Sequence, residues 1–418
     1  MTSRTWAVLT LIALVVGLAL AVALLTPWHR VPAPRADQLA ALRDLPADQV
    51  DRGRAFAAAL RPGRYLTMGL GLAVALVLGL TPLGAHLVEL LARPFGGAWW
   101  ARVLCGGLGV LLVADVVTLP LAAWRQSILV RYGISTQDWG SWLVDVLKGY
   151  GVAAVLGLVV LFGWFGLLRL APRWWWAFGA GGAAALVVVF SFVLPVLVEP
   201  VFNRFTPMPA SPLRTELMAL AERDGVPVRE VLVADASRRT RAVNAYVSGL
   251  GPTRRIVVYD TLLREAPPAE IVAVAAHELG HAEDRDVLSA TVTGALAAAA
   301  GVVLLYLLGS WTGLLRAAGV DGLGDPRAVG LLLALTAVAG LLLGPVQAYA
   351  SRRIEARADA HALALTGDPA AYEAMQRRLA GVNLSDPDPP YWEHALFGSH
   401  PTTVERIAAA RAYARGQR

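Results

Sequence analysis

Residues 175–198 read WWAFGAGGAAALVVVFSFVLPVLV and contain no charged side chain. A helix needs about 20 predominantly apolar residues to cross the hydrocarbon core of a bilayer, so this stretch is predicted to be a membrane-spanning helix. Six further stretches are similarly long and predominantly apolar: 6–25, 66–91, 99–124, 150–170, 287–308 and 329–349. The sequence therefore predicts seven spans.

The composition of the whole chain is that of a membrane protein. Of its 418 residues, 56% are hydrophobic and 16% are charged, and the mean hydropathy is +0.54. Soluble domains carry about 25% charged residues, which excludes the soluble globular class. The single cysteine, Cys105, lies in an apolar run and is expected to be a small buried hydrophobe. One cysteine allows neither an intrachain disulfide nor a cysteine-based zinc cluster.

The basic residues divide unequally between the two sides of the predicted spans. Of the 37 Lys and Arg, 30 fall in or beside connections on one side and 7 on the other. Because basic loops stay cytoplasmic, the N-terminus is expected outside and the C-terminus inside. A cleaved signal peptide is the alternative for the first span, but cleavage would put the arginine-rich segment 28–64 outside, against this bias. The net charge of +6 is thus explained by topology, and no nucleic-acid partner is expected.

Two segments outside the spans are long enough for water-dependent chemistry. Residues 201–286 and 351–418 both fall on the predicted cytoplasmic side, after spans one to five (1–200) and spans six and seven (287–350) respectively. The first segment predicts a helix, a strand, a β-hairpin and a second helix, at 212–225, 228–234, 242–247 with 255–259, and from Pro267-Pro268 onward. The expected fold class is an all-α membrane protein with a small cytoplasmic α/β insert.

The last helix of that insert contains His277-Glu278-Leu279-Gly280-His281. Two histidines four residues apart project from one helical face and can bind one Zn²⁺, while the glutamate beside the first can take a proton from water. Such a string also occurs by chance without a metal. Here the neighbours are apolar, and burying two unpaired imidazoles among them would be costly. The string therefore favours a hydrolytic zinc site.

A catalytic zinc needs a third protein ligand. The metzincin extension would require Gly at 284 and His at 287, where this chain has Asp284 and Val287, and the Leu-Asp-Gly string of site-two-type proteases is absent. Glu355 and Asp359, four residues apart after the last span, can supply a ligand carboxylate and an acceptor for the outer N–H of a ligand histidine. The alternative for this segment is an ordinary surface helix with i,i+4 ion pairs.

Five motifs follow one another in the order found in one known family. They are Phe202-Asn203-Arg204-Phe205-Thr206-Pro207, Asn244-Ala245-Tyr246 leading into RRIVVYDTLL, HELGH, SRRIEARADA at 351–360, and His400-Pro401 with Glu405-Arg406. In these the chain resembles the CAAX prenyl protease type 1 family, which consists of integral-membrane zinc metalloendopeptidases with seven transmembrane helices. Spans and orientation were obtained without this resemblance and agree with it.

The resemblance implies that His277, His281 and Glu355 bind one zinc ion and that Glu278 is the general base. It also implies that the helices enclose a water-filled chamber with the metal at its edge. His400 matches a histidine near the metal that can stabilise an oxyanion, and the alternative is an ordinary loop histidine.

Two more residues match family positions near the substrate. Asn244 matches the segment lining the substrate groove, where an extended peptide can pair with a strand edge; the alternative is a local turn role. Arg406 matches an arginine near the site, and the alternative is a surface helix arginine.

Other ionisable residues are given simpler roles. Asp115 and Glu89 are expected to line the chamber or to sit near span ends, and Glu199 marks the end of the fifth span. Four histidines have no second ligand at a useful spacing and are expected to be structural: His29, His86, His361 and His394.

The expected function is that of a multi-pass cell-membrane zinc endopeptidase acting on membrane-associated or prenylated-like peptides. One alternative is quality control of misfolded membrane proteins, as in HtpX-type proteases. A second, from a different class, is a zinc-binding receptor or transporter without turnover. Only Lys148 of the 37 basic residues is a lysine, which indicates GC-rich coding and a bacterial source. Nothing in the sequence requires more than a monomer.

Overall fold

The computed structural model describes residues 2–416. In chain order the elements are α1 Ser3–Leu25, α2 Arg35–Arg43, α3 Ala47–Leu80, α4 Leu83–Ala92, α5 Trp99–Arg131, α6 Trp139–Leu170, α7 Trp175–Phe202, β1 Phe205–Pro207, α8 Pro212–Arg223, β2 Glu230–Ala234, β3 Ala245–Ser248, β4 Arg255–Tyr259, α9 Asp260–Glu265, α10 Pro268–Glu283, α11 Asp286–Leu308, α12 Thr312–Ala318, α13 Val329–Thr366, α14 Pro369–Val382, α15 Tyr391–Phe397 and α16 Thr403–Gly416.

Seven of the helices described within residues 2–416 are long and apolar enough to cross a membrane, which confirms the predicted number. They are α1, α3, α5, α6, α7, α11 and α13. Their apolar windows are only sparsely buried against protein, from 0% in α1 and α7 to 28% in α11. Most of each window therefore faces lipid or a space between helices rather than neighbouring protein.

The predicted second span, 66–91, is wrong in its limits. Helix α3 begins at Ala47 and ends at Leu80, and α4 starts a new direction at Leu83. The break lies at Thr81, which precedes Pro82 and has φ −133° and ψ 164°. A residue before proline is pushed out of the helical region, so an apolar stretch of constant hydropathy is divided there into two helices.

The prediction for the seventh span is also too short. Helix α13 continues for 17 residues beyond Tyr349 and ends at Thr366, where Gly367 takes the left-handed conformation with φ 63°. The segment that carries Glu355 and Asp359 is therefore not a separate helix after the span. It is the continuation of the span itself, which fixes these carboxylates rigidly to the membrane domain.

The insert between α7 and α11 contains a four-stranded sheet in the order β1-β2-β4-β3. The predicted hairpin is confirmed, because β3 and β4 pair antiparallel with Ala245 opposite Val258. Strand β2 pairs parallel to β4 and antiparallel to β1. The short strand β1 was not predicted. Strand β3 lies at one edge of the sheet, against α10.

Candidate functional site

Helix α10 carries the HELGH string and is buried on almost every face. Pro267 and Pro268 start the helix, and its apolar side chains from Ile271 to Leu279 belong to a core shared with α8, the sheet, α13 and α14. Gly280 allows the close approach of α13, because a Cβ atom there would lie 3.1 Å from the side chain of His361. The glycine inside the string is thus a packing requirement.

The structure brings His277, His281 and Glu355 together. The Nε2 atoms of the two histidines are 3.2 Å apart. Glu355 Oε2 lies 3.3 Å from His277 Nε2, and Glu355 Oε1 lies 3.6 Å from His281 Nε2. One ligand atom from each residue lies within 4.8 Å of the others. The surface-helix alternative for Glu355 is wrong, since only 8% of this residue is exposed.

The donor set fits a divalent cation of the zinc type. Each histidine directs its Nδ1 at a carboxylate: His277 Nδ1 lies 3.0 Å from Asp359 Oδ1, and His281 Nδ1 lies 2.8 Å from Asp286 Oδ2. Those carboxylates favour a proton on Nδ1, which leaves the lone pair of each Nε2 facing the other. Two lone pairs at 3.2 Å repel unless a cation lies between them. Two imidazole nitrogens and a carboxylate are a common catalytic zinc set.

Ionisation of the site follows from this crowding. Burial lowers the pKa of His277, but the contacts with Asp359 and Glu355 outweigh it and raise the pKa to about 10. Without a metal ion, this ring therefore carries a proton on both nitrogens at neutral pH, and a cation bound at Nε2 takes the place of that second proton. Burial raises the pKa of the Glu278 carboxyl, against the opposing effect of the two histidines. Glu278 itself is partly exposed. A carboxylate with a raised pKa is a better proton acceptor than a solvated one.

Asp286 was missed by the sequence reasoning. It is the first residue of α11, buried beside His281, and its carboxylate also pairs with Arg357 of α13. Arg357 binds Asp284 as well, with Nε 2.6 Å from Oδ2. The tight junction is made by Arg285, which has φ 56°. The only available signal was an acidic residue placed one turn beyond the second histidine at a helix start.

Arg406 contacts the carboxylate of Glu355 and does not lie on an exposed surface. Its Nη2 donates to Glu355 Oε2 at 2.8 Å, and its Nε lies 3.3 Å from Asp359 Oδ2. Burial lowers the pKa of Arg406, but the carboxylates of Asp359 and Glu355 more than offset this and raise it. The surface-arginine alternative is therefore wrong, because two ionic contacts direct the Arg406 side chain at Glu355 and Asp359.

His400 and Asn244 are both exposed, and of the two His400 contacts Glu355. His400 precedes α16, and its Nε2 lies 3.4 Å from Glu355 Oε1 with 61% of the side chain exposed. It is thus the accessible neighbour of the ligand carboxylate. Asn244 is exposed and precedes β3, and its carbonyl accepts from the N–H of Tyr259 at 3.0 Å.

Three of the other ionisable residues named from the sequence have structural partners. His361 Nε2 lies 2.8 Å from Asp224 Oδ1, His394 lies 3.6 Å from Glu405, and Glu89 pairs with Arg102 at 3.0 Å. Cys105 is half-buried, not fully buried as expected.

Comparisons with known proteins match two family models along the chain. The model described as peptidase family M48 matches residues 207–414. The model described as the CAAX prenyl protease N-terminal region, with five membrane helices, matches residues 65–204. The first match contains His277, Glu278, His281 and Glu355, and the second match ends three residues before the first begins.

Two relatives match this chain over most of their own length. A protein of Bacillus subtilis named "Uncharacterized metalloprotease YhfN" is 31% identical over 305 residues, which cover 72% of this chain and 71% of that protein. The "CAAX prenyl protease 1 homolog" of Arabidopsis thaliana is 31% identical over 317 residues, with 72% and 71% covered. Neither the quality-control protease nor the receptor alternative is favoured by these matches.

A solved structure shares the whole fold. The crystal structure of S. mikatae Ste24p superposes with a TM-score of 0.79 and covers 97% of this chain and 99% of that one, at 22% identity. This likeness establishes the seven-helix architecture with its chamber.

Proposed function

Because this chain belongs to peptidase family M48 and is a membrane zinc metalloendopeptidase, we propose that His277, His281 and Glu355 hold one catalytic Zn²⁺ and that Glu278 is the general base. The observation that carries the assignment is the convergence of two Nε2 atoms and one carboxylate, with His277 and Glu355 buried, His281 half-buried, and each of the three held by a further charged group. Three side chains from two helices thus bring their donor atoms together in one place.

When bound, zinc supplies a Lewis acid that polarises the scissile carbonyl and makes water acidic near neutral pH. Glu278 takes the proton from the attacking water and returns it to the leaving amine. Asp359 and Asp286 hold the two histidines in the tautomer with a free Nε2. Arg406 positions Glu355 and Asp359 through its two contacts. His400 Nε2, on the exposed side of Glu355, donates a hydrogen bond to the oxyanion that develops on the substrate.

The substrate is proposed to bind as an extended peptide along β3. The carbonyl of Asn244 accepts a hydrogen bond from the N–H of Tyr259. In an antiparallel pair every second residue bonds to the partner strand, so Asn244 and every second residue after it face β4. Ala245 and Val247 therefore present their backbone N–H and C=O to the free edge. A peptide added there gains main-chain hydrogen bonds without sequence specificity, and Asn244 can contact it at the start of the strand. A peptide N-methylated at one amide near the scissile bond is expected to be cleaved more slowly.

Membrane-associated peptides and proteins are the proposed substrate class. The relatives named CAAX prenyl proteases indicate prenylated C-terminal peptides. A metal site joined directly to a membrane span by α13 is suited to substrates tethered at the bilayer surface. A monomer contains every residue of the proposed site.

The cell membrane is the proposed location, with the N-terminus outside and the metal site and C-terminus in the cytoplasm. Support comes from the unequal division of 37 basic residues. The test uses single cysteines in a Cys105→Ser background, at exposed Leu250 in the insert and exposed Trp311 between α11 and α13. Membrane-impermeant thiol reagents added to intact cells are expected to label position 311 and not 250, and the reverse pattern would contradict the orientation.

The ligand assignment is tested by metal content. Purified protein is expected to contain about one zinc per chain, and Glu355→Gln to lose it together with peptide cleavage, because three protein ligands are needed. Glu283→Gln is the matched control, since Glu283 is exposed at the end of α10. Full zinc content in Glu355→Gln would contradict the assignment.

A further inference from the structure

A cavity of about 590 Å³ lies between α13, α15, α16 and the segment 29–33 that follows α1. It shares Asp359 and Arg406 with the metal centre, but the metal ligands and Glu278 do not line it. None of the groups assigned above to the hydrolytic step therefore faces this cavity.

The cavity lies at the level where two spans leave the apolar layer. Trp28, just after α1, stacks on Tyr349 with ring centroids 5.9 Å apart, and Tyr349 ends the apolar part of α13. Tyr391 on α15 also lines the cavity and is 86% exposed, with Trp392 beside it. Exposed tryptophan and tyrosine at the ends of spans mark the boundary between bilayer and water. The cavity is thus level with lipid headgroups.

Three arginines line the cavity without a carboxylate partner among residues 2–416. Arg352 donates to the carbonyls of His394, Ala395 and Gly398. Arg353 donates to the carbonyl of Arg30 and to the hydroxyl of Tyr349. The Arg30 side chain is exposed. A guanidinium group has five N–H donors, so each arginine keeps donors and a full positive charge for a ligand.

The acidic residues of the lining form their ion pairs with other groups, and Glu405 acts on Arg352 only from beyond ion-pair distance. Asp359 is paired with Arg406 and His277, and Glu405 accepts from the N–H of Thr402 at 2.7 Å and lies 3.6 Å from His394. The rest of the wall is largely apolar, as at Val31 and Leu363. The cavity combines unpaired positive charge with an apolar surface.

We propose that this cavity binds the headgroup of an anionic phospholipid. Arg30, Arg352 and Arg353 contact the phosphate, and the apolar wall contacts the adjoining glycerol and acyl carbons. Basic pockets between helices at a membrane surface recognise acidic headgroups in this way. A bound lipid would hold the segment 29–33 against α13 and α16, the two helices that carry Glu355 and Arg406.

The test measures lipid binding to the purified full chain by native mass spectrometry. Phosphatidylglycerol and phosphatidylcholine with the same acyl chains are added to detergent micelles, and inorganic phosphate is the competitor in a third arm. The variants are the double variant Arg30→Gln with Arg353→Gln, and Ala412→Phe, which fills the cavity and keeps all charges. Arg131→Gln, exposed at the end of α5, is the matched control.

Wild-type protein is expected to prefer phosphatidylglycerol. The double variant should bind it about 25-fold more weakly, because each arginine near a headgroup contributes about fivefold. Ala412→Phe should lose the preference, and Arg131→Gln should keep it. Zinc content, measured in parallel, reports on folding of each variant.

Four results would overturn the proposal. They are equal binding of the two lipids by wild type, an equal loss in Arg131→Gln, unchanged binding by Ala412→Phe, and displacement of lipid by inorganic phosphate, which would assign a soluble anion. A raised KM for a peptide with intact lipid binding in the double variant would assign the arginines to substrate instead.

Discussion

The two halves of α13 reverse the usual relation between polarity and burial. In the membrane half, Leu342 is 69% exposed and Val346 is 59% exposed, whereas in the half beyond Tyr349 the carboxylates of Glu355 and Asp359 are 8% and 4% exposed. These apolar side chains face lipid or the chamber, and the two acids face the protein core. One continuous helix thus passes from a region held by its apolar surroundings to a region held by ion pairs.

The difference teaches where the molecule is tightly determined. A span needs length and apolarity, and many residues satisfy both. The site half needs each charge to meet its partner, because an unpaired buried charge is costly. Substitutions in the site half are therefore expected to have large effects, and comparable substitutions in the spans small ones.

Arg406→Ala is expected to have the largest effect on stability. It leaves Glu355 and Asp359 without their cationic partner, and breaking a buried pair costs about 3–5 kcal/mol. Arg406 is 11% exposed, so solvent screening gives little relief. The lost free energy of unfolding is measured by chemical unfolding in detergent, with hydrogen exchange in α13 and α16 as the readout. Arg131→Gln, at an exposed span end, should change stability by less than about 0.5 kcal/mol. Equal losses for the two variants would break the contrast between the halves.

Gly280→Ala compares the two regions with one methyl group. The added Cβ would lie 3.1 Å from His361, and overpacking of this kind costs about 1–3 kcal/mol. At Gly301, in span α11, nothing lies within 4 Å of the added carbon, and Gly301→Ala is expected to be neutral or stabilising by about 0.4–1 kcal/mol. Thermal unfolding of both variants decides the matter, and a stable Gly280→Ala protein would show that α10 and α13 can separate.

Asp286→Asn sharpens the comparison within the site. Loss of the charged acceptor for His281 Nδ1 should weaken zinc binding about 10-fold, the lower end for such outer partners. Asp284→Asn is the control, because Asp284 pairs with the same Arg357 whereas Asp286 is the carboxylate that contacts His281. Competition with a zinc chelator measures the affinities. Similar values for the two variants would assign Asp286 a structural role only.

The sequence predicts these two regions by different signals. Hydropathy predicts seven spans correctly, yet it places the second span across the Thr81-Pro82 break and ends the seventh at Tyr349. The reason is that hydropathy reports which residues are apolar enough for the bilayer, and not where a helix begins or ends. The HELGH spacing predicts the pair of histidines, since four residues make one helical turn. Asp286 and the contacts of Arg406 were not predicted, because they depend on how α10, α11, α13 and α16 pack, and no local spacing encodes that.

The most direct test of the proposed chemistry is Glu278→Gln, which removes the proton acceptor and leaves the three metal ligands. Cleavage of a peptide and zinc content are measured on the same preparation, with Glu283→Gln as the control. The account predicts about 10²–10⁴-fold slower cleavage with about one zinc per chain retained. A Glu278→Gln protein that holds zinc and cleaves at the wild-type rate would contradict it.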